Sequence, residues 1–495
     1  MNTKITKTTL PFAALLAAAS AVQAADTITV TEGGLTTTYD ATPYYAKPLA
    51  YSTTRDPDPP KYVTPATKSP WSLLNQYSWL DAGLDYRFRY EYRDDDIRRD
   101  RAGLDQPFLH RTRLYLGVRD IVDPLRFAVE IQDAHRYNGN FVKDNRDINE
   151  LEPIRAYAEL YFKNVLPADA QGNSRPISVR YGLHNFEFLD RRLIGNNQWR
   201  NTANSFRGVH ASIGQETSDW QVDLLHLQPL ARITYDPDRT EAGKTVNAVI
   251  GHWRKWSEDV TIEPFFFQQK EKFVANGGRE VNSPGIRAYG FFGKSGFDFD
   301  ASFIAQSGHN GNRDVDAWAA WAELGYSFND SWKSRFSVFY GAITGDNAGT
   351  TGTDERFERF YGFQRPWSAD DYFVLENAIT PKVRYEAQPD TTLKFDVGYS
   401  WFKLYSASDR FNNLASVGAA VQNNGFNRDS TGQSGRNVGS EFDIRFLWQV
   451  TPQTLVTVGY AHFISGEWTS NRLRVAGRPS NDSDFAYVEV LTKLF

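Results

Sequence analysis

Tyr86-Arg87-Phe88-Arg89-Tyr90-Glu91-Tyr92-Arg93 alternates without a break: every even residue is aromatic and every odd one is charged. Successive side chains of a β-strand point to opposite faces, so this octet makes a strand with one aromatic face and one ionic face. In a soluble sheet the aromatic face would be a core. In a transmembrane barrel the pattern inverts, with aromatics toward lipid and charges toward a wet lumen.

The alternation recurs along the chain. Leu125/Phe127/Val129/Ile131 stand against Arg126/Glu130/Gln132, Leu393/Phe395/Val397/Tyr399/Trp401 against Lys394/Asp396, and Phe442/Ile444/Phe446/Trp448 against Asp443/Arg445/Gln449. Residues 258–271, with Phe265-Phe266-Phe267, fit either register. Short turns are expected at Ile121–Pro124, Thr217–Asp219, Ser257–Asp259, Lys294–Gly296, Asn329–Ser331, Pro389–Asp390 and Thr451–Gln453, with a longer one near Asn164–Arg175. Between them fall long polar stretches at 94–106, 135–149, 188–205, 229–243, 272–281, 308–313, 345–370, 406–434 and 466–480. Short periplasmic turns alternating with long outer loops predict an all-β transmembrane antiparallel barrel of roughly eighteen strands. A β-propeller would need a motif repeated in every four-stranded blade, and none is present.

Composition agrees. The chain has 495 residues, 25 Tyr, 34 Phe, 13 Trp and no Cys. High aromatic content with a mean hydropathy of -0.53 suits strands of which only alternate residues meet lipid. The absence of cysteine leaves packing and the backbone ladder to hold an exported chain together. A net charge of -5 gives no sign of nucleic acid as a partner.

Three regions follow. Residues 1–24 carry Lys4 and Lys7, the apolar run Phe12–Val22 and the small-residue end Val22-Gln23-Ala24, the layout of a cleaved secretory signal. Residues 25–78, rich in Pro and Thr, read as an extended periplasmic segment, and 79–495 as the barrel. Asp26-Thr27-Ile28-Thr29-Val30-Thr31 resembles the TonB box of energised transporters, whose extended strand adds to a partner's sheet; the plainer reading is an incidental Thr/Val run. The final strand ends on Phe495, as many outer-membrane proteins do, which implies the barrel-assembly machinery as a partner and lipid and lipopolysaccharide as surroundings. In that strand Val488, Val490 and Leu494 look like the apolar set.

No catalytic constellation is present: the eight histidines are scattered, and HExxH, GxSxG and phosphate-cradling glycine loops are absent. The expectation is therefore a protein without enzymatic activity and without a cofactor. Asp94-Asp95-Asp96, Asp236/Asp238/Glu241 and Asp144/Asp147/Glu150 are loop clusters that suit Ca²⁺, or are simply solvated tips. The informative residues are the lumen-facing charges. The register points Arg87, Arg89, Arg113, Arg180, Arg335, Arg384 and Arg445 inward, with inward Arg and Lys expected to exceed inward acids by roughly three to two. Such rows lower the barrier for anions; alternatively, each arginine braces the wall through partners such as Glu91, Glu130, Asp396 and Asp443.

The run Arg180-Tyr181-Gly182-Leu183-His184-Asn185-Phe186, continuing through Arg191-Arg192-Leu193-Ile194-Gly195, Trp199-Arg200-Asn201-Thr202 and Phe206-Arg207-Gly208, resembles the alginate-export family. A second match lies in Gly439-Ser440-Glu441-Phe442-Asp443, Gly459–Gly466 and Asp484–Val488, so the resemblance covers about 80–495. It implies an eighteen-stranded channel passing an anionic polysaccharide through an arginine-rich constriction. On that basis Arg191 and Arg192 join the anion-attracting set, and Trp199, Asn201 and Thr202 become candidate substrate contacts in a loop able to fold inward. The other role open to this loop is conformational, with turns at Gly195 to Asn197 and Trp199 packed on the wall. The expected function is passive passage of an alginate-like polysaccharide or small anionic solutes across the outer membrane. The alternatives are an uptake porin for small nutrients, a TonB-coupled transporter, or a hydrolase housed in a barrel.

Overall fold

The computed structural model describes residues 29–32, 35–38, 58–96, 102–196, 199–255, 257–362, 376–411, 427–479 and 481–494. Among them, 18 long antiparallel strands close into one barrel. In chain order they begin with β1 Leu80–Asp94, β2 Phe108–Val122, β3 Leu125–Tyr137, β4 Asn149–Leu166, β5 Arg175–His184 and β6 Phe206–Gly214. Next come β7 Trp220–Ala231, β8 Lys244–Trp253, β9 Val260–Glu271, β10 Arg279–Phe291, β11 Phe297–Asn310 and β12 Arg313–Ser327. The last are β13 Arg335–Ile343, β14 Ala378–Ala387, β15 Leu393–Lys403, β16 Asn437–Thr451, β17 Thr454–Ser465 and β18 Ser483–Lys493. Each long strand pairs with its neighbours in sequence, and β18 closes on β1 with Glu489 opposite Arg89. Closure leaves no strand edge for hydrocarbon to meet unsatisfied.

The alternation sets the two faces. Phe127, Val129, Phe303, Leu324, Val338 and Phe446 are exposed on the outside. Aromatic pairs rim this belt at the short-turn end, with Phe297 and Tyr326 rings 4.7 Å apart and Trp332 and Phe395 6.2 Å apart. Phe88, Phe108 and Tyr90 do the same toward the long loops, at 6.0 and 5.4 Å. Two aromatic girdles around an apolar band are what a bilayer selects. The open registers settle: Phe265 and Phe267 point inward and Phe266 outward, while Val488 and Leu494 face out and Phe485, Tyr487 and Glu489 face in. Phe495 lies outside the described residues.

Three expectations are corrected. Residues 308–313 are not a long loop: Asn310 pairs with Arg313 across a two-residue turn, because the polar residues flanking Gly311 continue the ladder past the apolar belt. The stretch 466–480 contains a helix, α1 (Glu467–Val475), whose Trp468 is fully buried against Phe411. The lumen, finally, is not ionic throughout. Toward the long loops, inward positions of β7–β13 become apolar (Leu227, Val246, Phe267, Val281, Ile304, Trp321), and they bury the apolar side chains of incoming loops. The inside-out pattern holds at the height of β1's charges and gives way to a dry core above part of the wall.

The segments read as signal peptide, residues 1–24, lie outside the described residues. So does the beginning of the TonB-box-like stretch; its remainder, Thr29 to Thr31, lies in the strand Thr29–Glu32, which pairs antiparallel with Leu35–Thr38.

Candidate functional site

Two arginines meet head-on at the seam where the barrel closes. Arg87 on β1 stands directly opposite Arg111 on β2, with Arg89 and Arg113 on either side of them. All four are buried. Like charges in direct register are destabilising unless something else holds them. Here Asp85 lies 3.5 Å from Arg111, Glu489 3.2 Å from Arg89, and the Gln132 amide oxygen accepts from Arg113 at 2.8 Å.

From there an ionic girdle runs around the wall. Arg155 pairs with Glu130 at 2.9 Å and Arg180 with Glu159 at 3.1 Å. His210, Asp223, His252 and Glu263 form a chain of contacts at 2.8, 3.1 and 2.6 Å on successive strands β6–β9. Arg287 bonds Asp300, and Arg335 holds Asp298 and Glu323 at 2.7 and 2.8 Å. Arg384 is clamped between Asp396 and Asp443, the second at 2.6 Å, while Arg445 reaches Asp396 at 2.8 Å. Every arginine assigned inward from the sequence is inward. The expected excess of bases is not found: buried strand carboxylates, including Asp223, Glu263, Asp298, Asp300, Glu323 and Asp443, are at least as numerous as buried Arg and Lys. On β7–β12 the buried charges are mostly acids, Asp223, Glu263, Asp298, Asp300 and Glu323 beside Arg287, and no strand there shows the sustained Arg alternation that makes β1 conspicuous in the sequence.

The loop between β5 and β6, residues 185–205, folds into the barrel. Its Phe186, Phe188, Leu193 and Ile194 enter the dry core, with Phe188 rings 5.1 and 5.8 Å from Phe265 and Phe267. At its tip Leu189, Asp190 and Arg191 take φ of 53°, 52° and 70° in succession. Each left-handed non-glycine residue costs about 1–2 kcal/mol, so local bonds must hold the tip. Glu187 pairs with Arg191 at 3.1 Å, Asp190 with Arg192 at 3.0 Å, and Asp190 with Arg287 of the wall at 2.9 Å. The Arg192 guanidinium lies over Trp321 and Phe339, 5.4 and 5.6 Å from the ring centres. Phe188→Ala should weaken docking of this loop by about 3–5 kcal/mol. Trypsin should then cut folded protein after Arg191 or Arg192, bonds that resist cleavage in the parent.

The returning half of the loop is a latch. Trp199 packs edge-on against Tyr487 at 4.9 Å with the Arg89 guanidinium over its ring at 4.1 Å, and its carbonyl accepts from Arg89 at 2.7 Å. Asn201 is fully buried: its amide N–H groups serve the carbonyls of His110, His135 and Asp147 at 2.9, 3.1 and 2.9 Å, and its oxygen accepts from Arg87 at 3.0 Å. Thr202 donates to Asn145 O at 2.8 Å and accepts from Arg232 at 2.9 Å. The Trp-x-Asn-Thr run thus ties the loop to β1, β2, β3, β18 and two other loops. The seam arginines Arg87 and Arg89 hold this latch. Gly182, in the same motif, has φ of 139°, and a Cβ there would lie 2.4 Å from the Ala156 carbonyl oxygen on β4, which explains the glycine.

At the short-turn end the chain before β1 also enters the lumen. Tyr62 donates to Glu130 at 2.7 Å and packs with Tyr115 and Tyr157, while Thr64–Pro65 pairs with Asp81–Ala82. Asp58 accepts from Arg155 at 2.8 Å and from Arg180. Burial by itself would raise the Asp58 carboxyl, but Arg180 and Arg155 outweigh it and hold the group well below the usual carboxylate range. A depressed carboxylate pKa contributes stability above its unfolded value of 3.8, lost only as pH falls through the folded value, so this contact should survive mild acid.

Sequence reading missed the His210–Glu263 chain and the insertion of 58–66. The only signal for the first was that each residue occupies an inward position on consecutive strands. Among the described residues no three His, Asp or Glu side chains converge as a metal site. The acidic loop clusters are split among other partners: Asp144 bonds Arg146 at 2.5 Å, Asp147 lies 3.5 Å from Arg136, and Asp238 accepts from Asn149 at 2.9 Å.

A closed 18-stranded barrel with an aromatic-rimmed apolar exterior, a charged inner girdle and an infolded loop defines an outer-membrane β-barrel of the porin type. The chain belongs to the alginate-export family, whose model matches residues 78–480. No curated protein sequence matches it. Among solved structures it is similar to OpdK of Pseudomonas aeruginosa, at 11% identity over 84% of this chain and 98% of that one, with a TM-score of 0.56. OpdQ of the same organism gives 14%, 84%, 98% and 0.55, and its outer membrane protein OprD 11%, 83%, 93% and 0.53. At such identities the likeness is one of fold.

Proposed function

We propose that the chain is a passive outer-membrane channel for anionic solutes, of the alginate-export type, with its short turns on the periplasmic side and residues 58–66 of the leader inserted from that side. The observation that carries this reading is the seam: four inward arginines on adjacent strands, two of them in direct opposition, an arrangement that stability alone disfavours. It supports a positive field beside the infolded loop, where a carboxylate would gain most. The partly exposed Arg445, Arg180 and Arg191 extend that field, while Arg384 and Arg192 are bracing residues. Trp199, Asn201 and Thr202 act on substrate through the loop they fix in place. Membership of the family favours an acidic polysaccharide. The filled upper lumen favours small anions for as long as the loop stays docked, and this second reading makes loop release the step that admits a polymer.

Replacing Arg191 and Arg445 together by Ala tests the field. The chloride-to-potassium permeability ratio should fall about twofold near 0.1 M salt and change little near 1 M, where the screening length shrinks from about 10 to about 3 Å. Current block by a uronate oligomer, with a neutral oligosaccharide as control, tests the substrate class; equal block by both would reject it.

A further inference from the structure

We infer, on the reading of the barrel as an anion channel, that Arg155 and Arg180 form a carboxylate-binding site in the lumen and that Asp58 occupies it as a tethered stand-in for the solute. The two guanidinium groups come from adjacent strands, β4 and β5, and each takes one oxygen of the same carboxylate. Each guanidinium gives one charge-assisted bond, and together they take both oxygens of the carboxylate. The Arg180 guanidinium also lies over the Tyr157 ring at 4.1 Å, which fixes its plane.

The wall does not need Asp58 for its own neutrality. Arg155 already pairs with Glu130 and Arg180 with Glu159, and both acids accept further bonds, from Tyr62 at 2.7 Å and Ser178 at 2.5 Å. Two cations and two acids are balanced before the leader arrives, so the site takes a third carboxylate as a ligand. Asp58 is the accessible member: its side chain is 33% exposed, against 5% for Arg155 and 12% for Arg180. A solute carboxylate can therefore approach along the lumen, displace Asp58 and meet the same two groups.

The leader is anchored just beyond this point by Tyr62 and by the Thr64–Pro65 pairing, so displacement of Asp58 moves residues 58–61, whose Lys61 carbonyl accepts from Lys493 at 3.0 Å. A ligand on so short a tether has an effective concentration of about millimolar order. A monovalent carboxylate must reach that level to compete. A polymer presenting a carboxylate on every sugar does so locally at far lower bulk concentration, which makes the site selective for polyuronates over single acids.

The test uses the full mature chain in planar bilayers, with sodium glucuronate as the probe and glucose as control. Asp58→Asn should increase the chloride current and lower the half-blocking glucuronate concentration about tenfold. Adding Arg180→Gln to that variant should abolish the block. An unchanged half-blocking concentration in Asp58→Asn, or block that persists in the double variant, overturns the site. A second measurement needs no variant: hydrogen exchange at the Asp58 and Lys61 amides of the wild-type barrel should accelerate with saturating glucuronate and not with glucose, and equal protection in both overturns the site. A barrel that proves cation-selective while glucuronate still releases the leader removes the channel reading and keeps the site. An anion-selective barrel whose leader ignores glucuronate keeps the channel and removes the site.

Discussion

Asn201→Ala should convert the barrel to a wider channel with several-fold larger unitary conductance. The side chain is wholly buried and joins three backbone carbonyls from β2, β3 and the following loop to Arg87 on β1. Truncation to Ala strands these groups away from water, at about 1–3 kcal/mol for each one left unmade. Even about 3 kcal/mol of that penalty raises the open population of the 185–205 loop by about two orders of magnitude, since about 1.4 kcal/mol is a factor of ten. The barrel wall itself loses no strand pairing, so the variant should still insert and resist denaturant. Thr202→Val removes one donor and one acceptor of the same latch and should open the channel less often. Conductance identical to the parent in Asn201→Ala would mean that the latch does not limit the pore.

Arg384→Ala should cost the barrel about 3–5 kcal/mol, as expected when one member of a buried ionic cluster is removed and its partners stay charged. Arg384 is sealed between Asp396 and Asp443, and its guanidinium occupies the space over Gly398, where a Cβ would lie 2.7 Å away. Without it, Asp443 loses its 2.6 Å partner and faces the more distant Lys382 at 3.8 Å. Arg445→Ala is the contrast. Its side chain is 22% exposed and its loss leaves Asp396 with Arg384, so its cost should stay within about 1 kcal/mol. Denaturant unfolding in lipid vesicles, followed by tryptophan fluorescence, separates the two; equal midpoints would show the girdle to be unimportant for stability.

These two outcomes sort the arginines that the sequence presented as one set. Period-2 alternation gave the barrel, the strand count, the short turns and the inward direction of Arg87, Arg89, Arg113, Arg180, Arg335, Arg384 and Arg445. These are local properties, because a strand's faces follow from its own residues. What each arginine touches was not legible. Arg87 meets Asn201 and Arg180 meets Asp58 across more than a hundred residues of chain, and neither partner carries a periodic signal. The dry upper lumen was hidden for a related reason. Leu225, Leu227 and Phe267 sit at inward positions while their outward neighbours His226, Gln228 and Gln268 are polar, so above the apolar belt the alternation runs the opposite way and, read alone, points those apolar side chains outward. The family motif singled out the loop that folds into the barrel, and in the structure its Trp199, Asn201 and Thr202 are bound to the wall and to neighbouring loops.

The most direct test of the channel's charge preference is the zero-current potential of the wild-type protein in a planar bilayer under a tenfold KCl gradient at low ionic strength. A potential of the sign set by chloride, collapsing toward zero as salt is raised, is the predicted result. A stable potential of the sign set by potassium would contradict it, and would assign the acids of β7–β12, not the arginines of the seam, control of the lumen.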